Sequence, residues 1–201
     1  VSLLLGAIFA GLFYFATAVF LVGVGARVMR YARIPAPLVI PTTPAPTTHA
    51  GVFARMFREV VFFESLFKGS KWSWRFGWLF HFGMLIVIAQ HLRYFTQPVW
   101  SWVTIIQWVG SYASFAMFVG LVGLWARRVL VDRIRYISAP SDHLMLALLL
   151  AITGSGLLMK HVDHTDIVLL KAFTLGLITL SWQPLPNDFV LLVHLSLVII
   201  L

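Results

Sequence analysis

Three of the seven histidines lie inside apolar stretches of this 201-residue sequence. They are His81 and His91, ten residues apart, and His194 near the carboxyl end. An ionisable side chain inside a membrane is costly and is usually functional. Neutral imidazole is a good axial ligand of haem iron, and each haem needs a second ligand on another helix. The three histidines are therefore candidate haem ligands.

The spacing of His81 and His91 predicts two haems at different depths. Ten helical residues span roughly 15 Å at about 1.5 Å per residue, and the two side chains differ in direction by about 80°. His194 lies near the start of its apolar segment, which enters the membrane from the outside, so its predicted depth matches that of His91. We expect these two to ligate an outer haem and His81 to ligate an inner haem, whose second ligand falls beyond Leu201. A lone intramembrane histidine is often only an interhelical hydrogen-bond partner, and that alternative stays open.

The composition predicts an all-α integral membrane protein. The sequence is 60% hydrophobic and 11% charged, with a mean hydropathy of +0.92, whereas a soluble domain is about 25% charged. The absence of cysteine excludes a cysteine-ligated iron–sulfur cluster, a zinc–thiolate site and disulfides within this sequence. The net charge of +8 indicates membrane orientation rather than nucleic-acid binding, because the basic residues flank apolar segments. Lipid is the expected solvent.

The apolar segments predict a single membrane domain, residues 1–201, with five spanning helices. Only 13 residues follow Asp188, fewer than the roughly 20 that a span needs, so we expect the last span to be truncated. Residues 167–182 are apolar but short and contain Lys171, which predicts an interfacial helix; a sixth span is the alternative. The predicted spans are residues 3–27, 76–94, 99–126, 143–160 and 188–201.

The basic residues predict the orientation of the spans. Twelve of the fifteen Lys and Arg lie in the connections between spans one and two and between spans three and four. The positive-inside rule puts these connections in the cytoplasm and the amino terminus outside the cytoplasmic membrane. The first connection, residues 31–72, combines a proline-rich linker at 34–48 with an amphipathic surface helix at 50–69.

Charged and polar residues near the outer haem have two expected roles. Haem propionates must be paired or reach water, and Arg93 is the candidate partner for the outer haem; Arg75 or Arg135 would serve the inner one. Ordinary snorkelling is the alternative. A quinol needs groups that accept protons, and histidine titrates in the useful range. The sequence therefore predicts a quinone site among Lys160, His161, His164 and Lys171.

Two parts of the sequence resemble the nitrate reductase gamma-subunit family. One is the second apolar segment, FGWLFHFGMLIVIAQHLRYFTQP, with its two histidines ten residues apart and His81 followed by Phe-Gly. The other is the last segment, where His194 is followed by leucine. Residues 135–201 are most similar to one branch, the membrane cytochrome b (M) subunit of the sulfite-reduction-associated Dsr electron-transfer complex. The resemblance covers most of the sequence from about residue 52.

The resemblance implies two haems b, with His91 and His194 on the outer haem and His81 on the inner one. It implies menaquinol oxidation, or menaquinone reduction, near the outer haem. It also implies electron exchange with a cytoplasmic iron–sulfur subunit similar to heterodisulfide reductase. The implied complex contains other membrane and outer-side subunits and serves sulfur metabolism. Whether the subunit is itself an enzyme stays open. The alternatives are the gamma subunit of a respiratory nitrate reductase, a proton-coupled transporter, which usually shows inverted repeats that are not evident here, and a structural anchor.

Overall fold

The computed structural model describes residues 2–35 and 46–201, and these residues form α-helices and connections without a β-strand. This confirms the all-α class. A 3₁₀ turn, Leu92–Tyr94, extends α4, and a π-helical turn, Met159–Asp163, extends α7. Most of the predicted proline-rich linker, residues 36–45, lies outside the described residues. The helices are α1 Ser2–Arg33, α2 His49–Phe62, α3 Glu64–Gly69, α4 Lys71–His91, α5 Ser101–Leu130, α6 Asp132–Ile137, α7 Pro140–Leu158, α8 Ile167–Thr179 and α9 Phe189–Ile200.

Three helical stretches of the described chain are long and apolar enough to cross a membrane: Leu3–Arg33, Ser101–Leu130 and Pro140–Asp163. They correspond to the first, third and fourth predicted spans. The helix of the second, α4, has 21 residues and begins with a segment that carries Lys71 and Arg75. The apolar helices α8 and α9 have 13 and 12 residues. The spanning role of α4 and α9 and the interfacial role of α8 therefore stay predictions.

The amphipathic stretch 50–69 was expected as one helix, and the structure breaks it into α2 and α3. Phe63 adopts the left-handed conformation with φ 50°, and its N–H donates to the carbonyl of Glu59. The Glu59 carboxylate accepts a hydrogen bond from the Ser65 N–H at 3.0 Å, which caps α3 and lowers the pKa of Glu59 below its usual range. The apolar pairs at 52/53, 56/57 and 60/61 are followed by Glu64 and Ser65, so the apolar pattern that predicted the helix ends just before the break.

Helices α4 and α5 form the closest helix pair of the bundle, because glycines let their backbones approach. A Cβ added at Gly83 would lie 2.8 Å from the carbonyl oxygen of Ala113, and one added at Gly120 would lie 2.7 Å from the backbone nitrogen of Phe80. The Trp72 indole donates to the carbonyl of Gly123 at 2.8 Å. This contact fixes α4, which carries His81 and His91, against α5.

The remaining helices extend the bundle in order, since α7 packs on α5 and α9 packs on α7. One apolar cluster joins α4, α5 and α7 and has Phe80, Met117 and Leu121 at its centre. A second cluster joins α1, α8, α9 and the connection before α9. Its buried members are Phe9, Ala10, Leu170, Phe173, Leu185 and Leu191. These two clusters position the helices that carry the candidate ligands, α4 at one end of the series and α9 at the other.

Twelve of the fifteen Lys and Arg lie at one end of the bundle, which we call the arginine-rich end. This end contains the carboxyl ends of α1 and α5, the amino end of α4, and helices α2, α3 and α6. The opposite end contains the two turns that follow α4 and α7, and the amino ends of α8 and α9. There Asp166 and Asp188 cap α8 and α9 by accepting backbone N–H groups of the first helical turn. His91 and His194 lie toward this opposite end.

Candidate functional site

The two histidines of α4 are held in the same tautomer by their own helix. The His81 Nδ1 lies 2.7 Å from the carbonyl oxygen of Gly77, and the His91 Nδ1 lies 2.6 Å from that of Val87. A carbonyl oxygen only accepts hydrogen bonds, so each Nδ1 carries the hydrogen. Each Nε2 then has a free lone pair, which is the form of imidazole that binds a metal.

The third histidine reaches the same state through a different helix. His194 on α9 places its Nδ1 2.9 Å from the hydroxyl oxygen of Ser155 on α7. That hydroxyl lies 2.7 Å from the carbonyl oxygen of Ala151 and 3.0 Å from that of Ile152. Since the hydroxyl hydrogen points to these carbonyls, the Ser155 oxygen accepts from the Nδ1–H of His194. Its Nε2 is also left with a lone pair.

His91 and His194 lie near each other at the end of the bundle opposite the arginine-rich end. The two imidazoles are close enough for their charges to interact, yet no hydrogen bond joins them in the described structure. Their helices α4 and α9 each pack mainly on the helices between them. The His91 side chain is exposed although much of the protein surrounds it. The pair is therefore the candidate site for a ligand held between α4 and α9.

His91 and His194 would be suitable ligands for a haem. The donor set consists of neutral imidazoles on different helices, each with its Nδ1–H fixed and its Nε2 free, and haem iron needs two such donors. In the residues that the structure describes, no group of three or more histidines and carboxylates could hold a metal ion by itself.

His81 lies in an aromatic environment closer to the arginine-rich end. Its ring is 5.2 Å from the ring of Phe63 and 4.7 Å from that of Phe80, both in edge contact. His143 on α7 is engaged differently, because its Nδ1 accepts a hydrogen bond from the Trp125 indole at 2.9 Å. In that tautomer the Nε2 carries the hydrogen, so His143 acts as an interhelical hydrogen-bond partner between α5 and α7.

Two cations accompany His91. Arg93 donates to the side-chain oxygen of Gln107 at 3.1 Å, and Gln107 donates to the backbone oxygen of Gln90 at 3.1 Å. Lys160, in the π-helical turn after α7, interacts electrostatically with both His91 and Arg93. Within the described part of the chain neither cation forms an ion pair with a carboxylate. The region around His91 is therefore electropositive.

The other predicted quinone residues are dispersed. The His161 ring lies 5.2 Å from that of Phe115 on α5. His164 is left-handed with φ 52° and places its Nδ1 3.1 Å from the carbonyl oxygen of Val162. The Lys171 ammonium forms no hydrogen bond or ion pair with another described residue, although its backbone carbonyl accepts a hydrogen bond from the Thr174 hydroxyl at 3.0 Å. The structure therefore brings Lys160 to His91 and His161 to α5, whereas no contact joins His164 or Lys171 to that group.

Two site residues were missed by the sequence reasoning, Ser155 and Gln107. Ser155 lies between Gly154 and Gly156 in an otherwise apolar helix. Such a run of small residues is typical of close helix packing and could have identified this part of α7 as the surface facing another helix. Gln107 gave no comparable signal, because its role depends on how α5 is rotated toward the end of α4.

Comparisons with known proteins identify the family. Residues 66–188 match the family model described as nitrate reductase gamma subunit. The chain belongs to that family. The matched segment contains His81 and His91 and ends before His194. With three apolar spanning helices, the protein is a multi-pass membrane protein, and the resemblance predicted from its sequence is confirmed at the family level.

Two curated relatives are similar over most of the chain. The Hdr-like menaquinol oxidoreductase cytochrome b-like subunit of Archaeoglobus profundus is 31% identical over 239 aligned positions, which cover 96% of this chain and 71% of the relative. The protein of the same name from Archaeoglobus fulgidus is 32% identical over 208 positions, which cover 84% of this chain and 63% of the relative. No solved structure matches the chain.

Proposed function

We propose that this protein is a haem b-containing membrane subunit that passes electrons between menaquinol or menaquinone and a cytoplasmic iron–sulfur subunit. The observation that carries the proposal is the state of His91 and His194, two neighbouring imidazoles on different helices with fixed Nδ1–H groups and free Nε2 atoms. The two curated relatives, by their name, are cytochrome b-like subunits of menaquinol oxidoreductases, which supports this reading of the site.

In this proposal His91 and His194 hold the outer haem and His81 provides one ligand of the inner haem. When bound, haem supplies reversible one-electron chemistry. The protein contributes the ligands, the hydrogen-bond acceptors that set their tautomers, and a largely apolar surround. Arg93, held by Gln107, supplies positive charge beside the outer site for a propionate.

The quinone site follows from the electropositive region around His91. Lys160 and His161 lie in the π-helical turn, a distortion that is frequent at functional sites. Lys160 offers a hydrogen-bond donor, and the His161 imidazole offers a nitrogen that can accept a proton. We assign the menaquinone contacts to these two residues first. His164 and Lys171 are secondary members, because no contact joins them to His91.

The arginine-rich end is assigned to the cytoplasm and the amino terminus to the outside, with α4 and α9 as further spans and α8 at the interface. The twelve Lys and Arg near the arginine-rich end support this orientation. We assign the iron–sulfur centre that receives or donates electrons to a separate, heterodisulfide-reductase-like chain. Its natural place is beside α2, α3 and α6, within a complex for dissimilatory sulfur metabolism.

The decisive experiment is haem quantification by pyridine haemochrome and low-temperature electron paramagnetic resonance on the purified full chain. We expect b-type haem with two histidine ligands. His91→Ala and His194→Ala should each remove the same spectral component. His143→Asn is the matched control, since it keeps an acceptor for the Trp125 indole and should retain that haem. A wild-type protein without haem, or different components lost in the two alanine variants, would refute the proposal.

The quinone assignment is tested by haem reduction with a soluble menaquinol analogue in membranes. Lys160→Ala and His161→Ala should slow the reduction while haem content is unchanged. Lys71→Ala, at the arginine-rich end, is the control and should reduce at the wild-type rate. Wild-type rates in both site variants would place the quinone elsewhere.

A further inference from the structure

Ser155 is one of three buried polar residues among those that the structure describes; the others are Ser73 and Thr153. Its hydroxyl makes three short contacts, to the carbonyl oxygens of Ala151 and Ile152 and to the Nδ1 of His194. The carbonyls take the hydroxyl hydrogen, and the oxygen accepts from the imidazole. Ser155 is therefore a relay between the backbone of α7 and a side chain of α9.

The neighbouring glycine lets the imidazole approach α7 closely. A Cβ added at Gly156 would lie 3.4 Å from the Cε1 atom of His194, in van der Waals contact, so the imidazole lies directly against this side of α7. The ring is thus confined on one side by the glycine and fixed at Nδ1 by the serine. Together the two contacts determine the direction of the Nε2 lone pair.

This arrangement differs from that of the other two candidate ligands. His81 and His91 donate to carbonyls four residues earlier in their own helix, so their ring positions follow from α4 alone. His194 depends on a hydroxyl of another helix. A hydroxyl that is already donating to a carbonyl remains a competent acceptor, and an Nδ1–H hydrogen bond makes an imidazole a stronger electron donor toward a bound metal.

We infer that Ser155 is a positioning residue that fixes the tautomer and ring plane of His194 and thereby sets the reduction potential of the outer haem. The inference rests on the proposed function. A stronger imidazole donor stabilises the ferric state, so the Ser155 hydrogen bond holds the potential lower than it would otherwise be. Removing the Ser155 hydroxyl leaves the Nδ1–H of His194 with a less well placed acceptor, and the reduction potential of the outer haem rises.

The test is a redox titration of the purified full chain, combined with the electron paramagnetic resonance spectrum of the oxidised outer haem, which reports the relative ring planes of its ligands. Ser155→Ala should shift the midpoint potential to a more positive value and change the spectrum. Ser155→Thr restores the hydroxyl and should bring both readouts back toward wild type. Thr153→Val is the matched control, because Thr153 is equally buried and its hydroxyl contacts only the carbonyl of Leu149.

The outcomes separate the inference from the proposed function. A wild-type protein without haem refutes the proposed function and the inference together. If wild type binds haem, an unchanged or lowered potential in Ser155→Ala overturns the inference alone. A lowered potential would mean that the nearby Ile152 carbonyl, which also lies within reach of the His194 ring, takes over as a stronger acceptor. Equal shifts in Ser155→Ala and Thr153→Val would also overturn it, because they would reflect a general disturbance of α7.

Discussion

Replacing Gly120 with alanine should destabilise the protein through the contact between α4 and α5. The added Cβ would lie 2.7 Å from the backbone nitrogen of Phe80, 3.0 Å from its Cα and 3.0 Å from the carbonyl oxygen of Phe76. All three atoms belong to the α4 backbone, so none can rotate away as a side chain would. The alanine can be accommodated only if the two helices move apart.

The required movement sets the size of the effect. Ordinary carbon contacts begin at about 3.5 Å, so α4 must move by roughly 0.8 Å at its nearest atom. Overpacking of this kind costs about 1–3 kcal/mol. Alanine recovers about 1 kcal/mol through its higher helix propensity. Because three backbone atoms are involved, we expect an overpacking cost of about 2–3 kcal/mol. After the gain in helix propensity, the free energy of unfolding should fall by about 1–2 kcal/mol, or roughly 5–30-fold in the unfolding equilibrium.

The assay is reversible unfolding of the purified protein in mixed micelles with increasing sodium dodecyl sulfate, followed by tryptophan fluorescence. Gly23→Ala is the matched control, because no atom lies within 4 Å of a Cβ added there; this variant should be as stable as wild type or more stable. The close-packing argument would be refuted if Gly120→Ala were also as stable as wild type.

Two further predictions concern charge. Arg93→Gln should lower the midpoint potential of the outer haem, because a nearby positive charge favours the reduced state. Arg133→Gln, at the arginine-rich end, is the control. An unchanged potential in the Arg93 variant would contradict the proposed pairing of Arg93 with a haem propionate. The Ser65 N–H lowers the pKa of Glu59 below its ordinary value of 4.5, so this contact stabilises the break between α2 and α3 above that pH and is lost as the pH falls through the lowered pKa. Amide hydrogen exchange at Ser65 should therefore accelerate in acid, after correction for the intrinsic rate, and Glu59→Gln should abolish that pH dependence.

The class of the protein and the family were predictable from the sequence because they depend on residue types and spacing. Apolar length gave the long helices α1, α5 and α7, and the ten-residue interval between His81 and His91 carried the resemblance to the family. These signals are local. They do not depend on which helices are in contact.

The hydrogen bonds that fix the candidate ligands across helices were not predictable, because they depend on how the helices are rotated. The acceptor of His194 is 39 residues away in the sequence, and serine in an apolar helix usually bonds to its own backbone. Ser196, on α9 itself, does so with Leu192. The break at Phe63 was missed for a different reason: one left-handed residue ends the helix, and this residue is a phenylalanine rather than the glycine or asparagine that usually marks such an end.

The series α4, α5, α7, α9 has a consequence for the order of biosynthesis. His91 and His194 belong to the first and last helices of the series, so the two proposed ligands of the outer haem are both present only after the last helix has been synthesised. About 100 residues separate the two, which corresponds to roughly 5–20 s of translation at about 5–20 residues per second. During that interval the nascent chain exposes one imidazole of the pair without the other. Under the proposed function, a haem at this position could be held by both ligands only after α9 has been made, and a ribosome stalled before α9 would leave a chain that lacks one of the two proposed ligands.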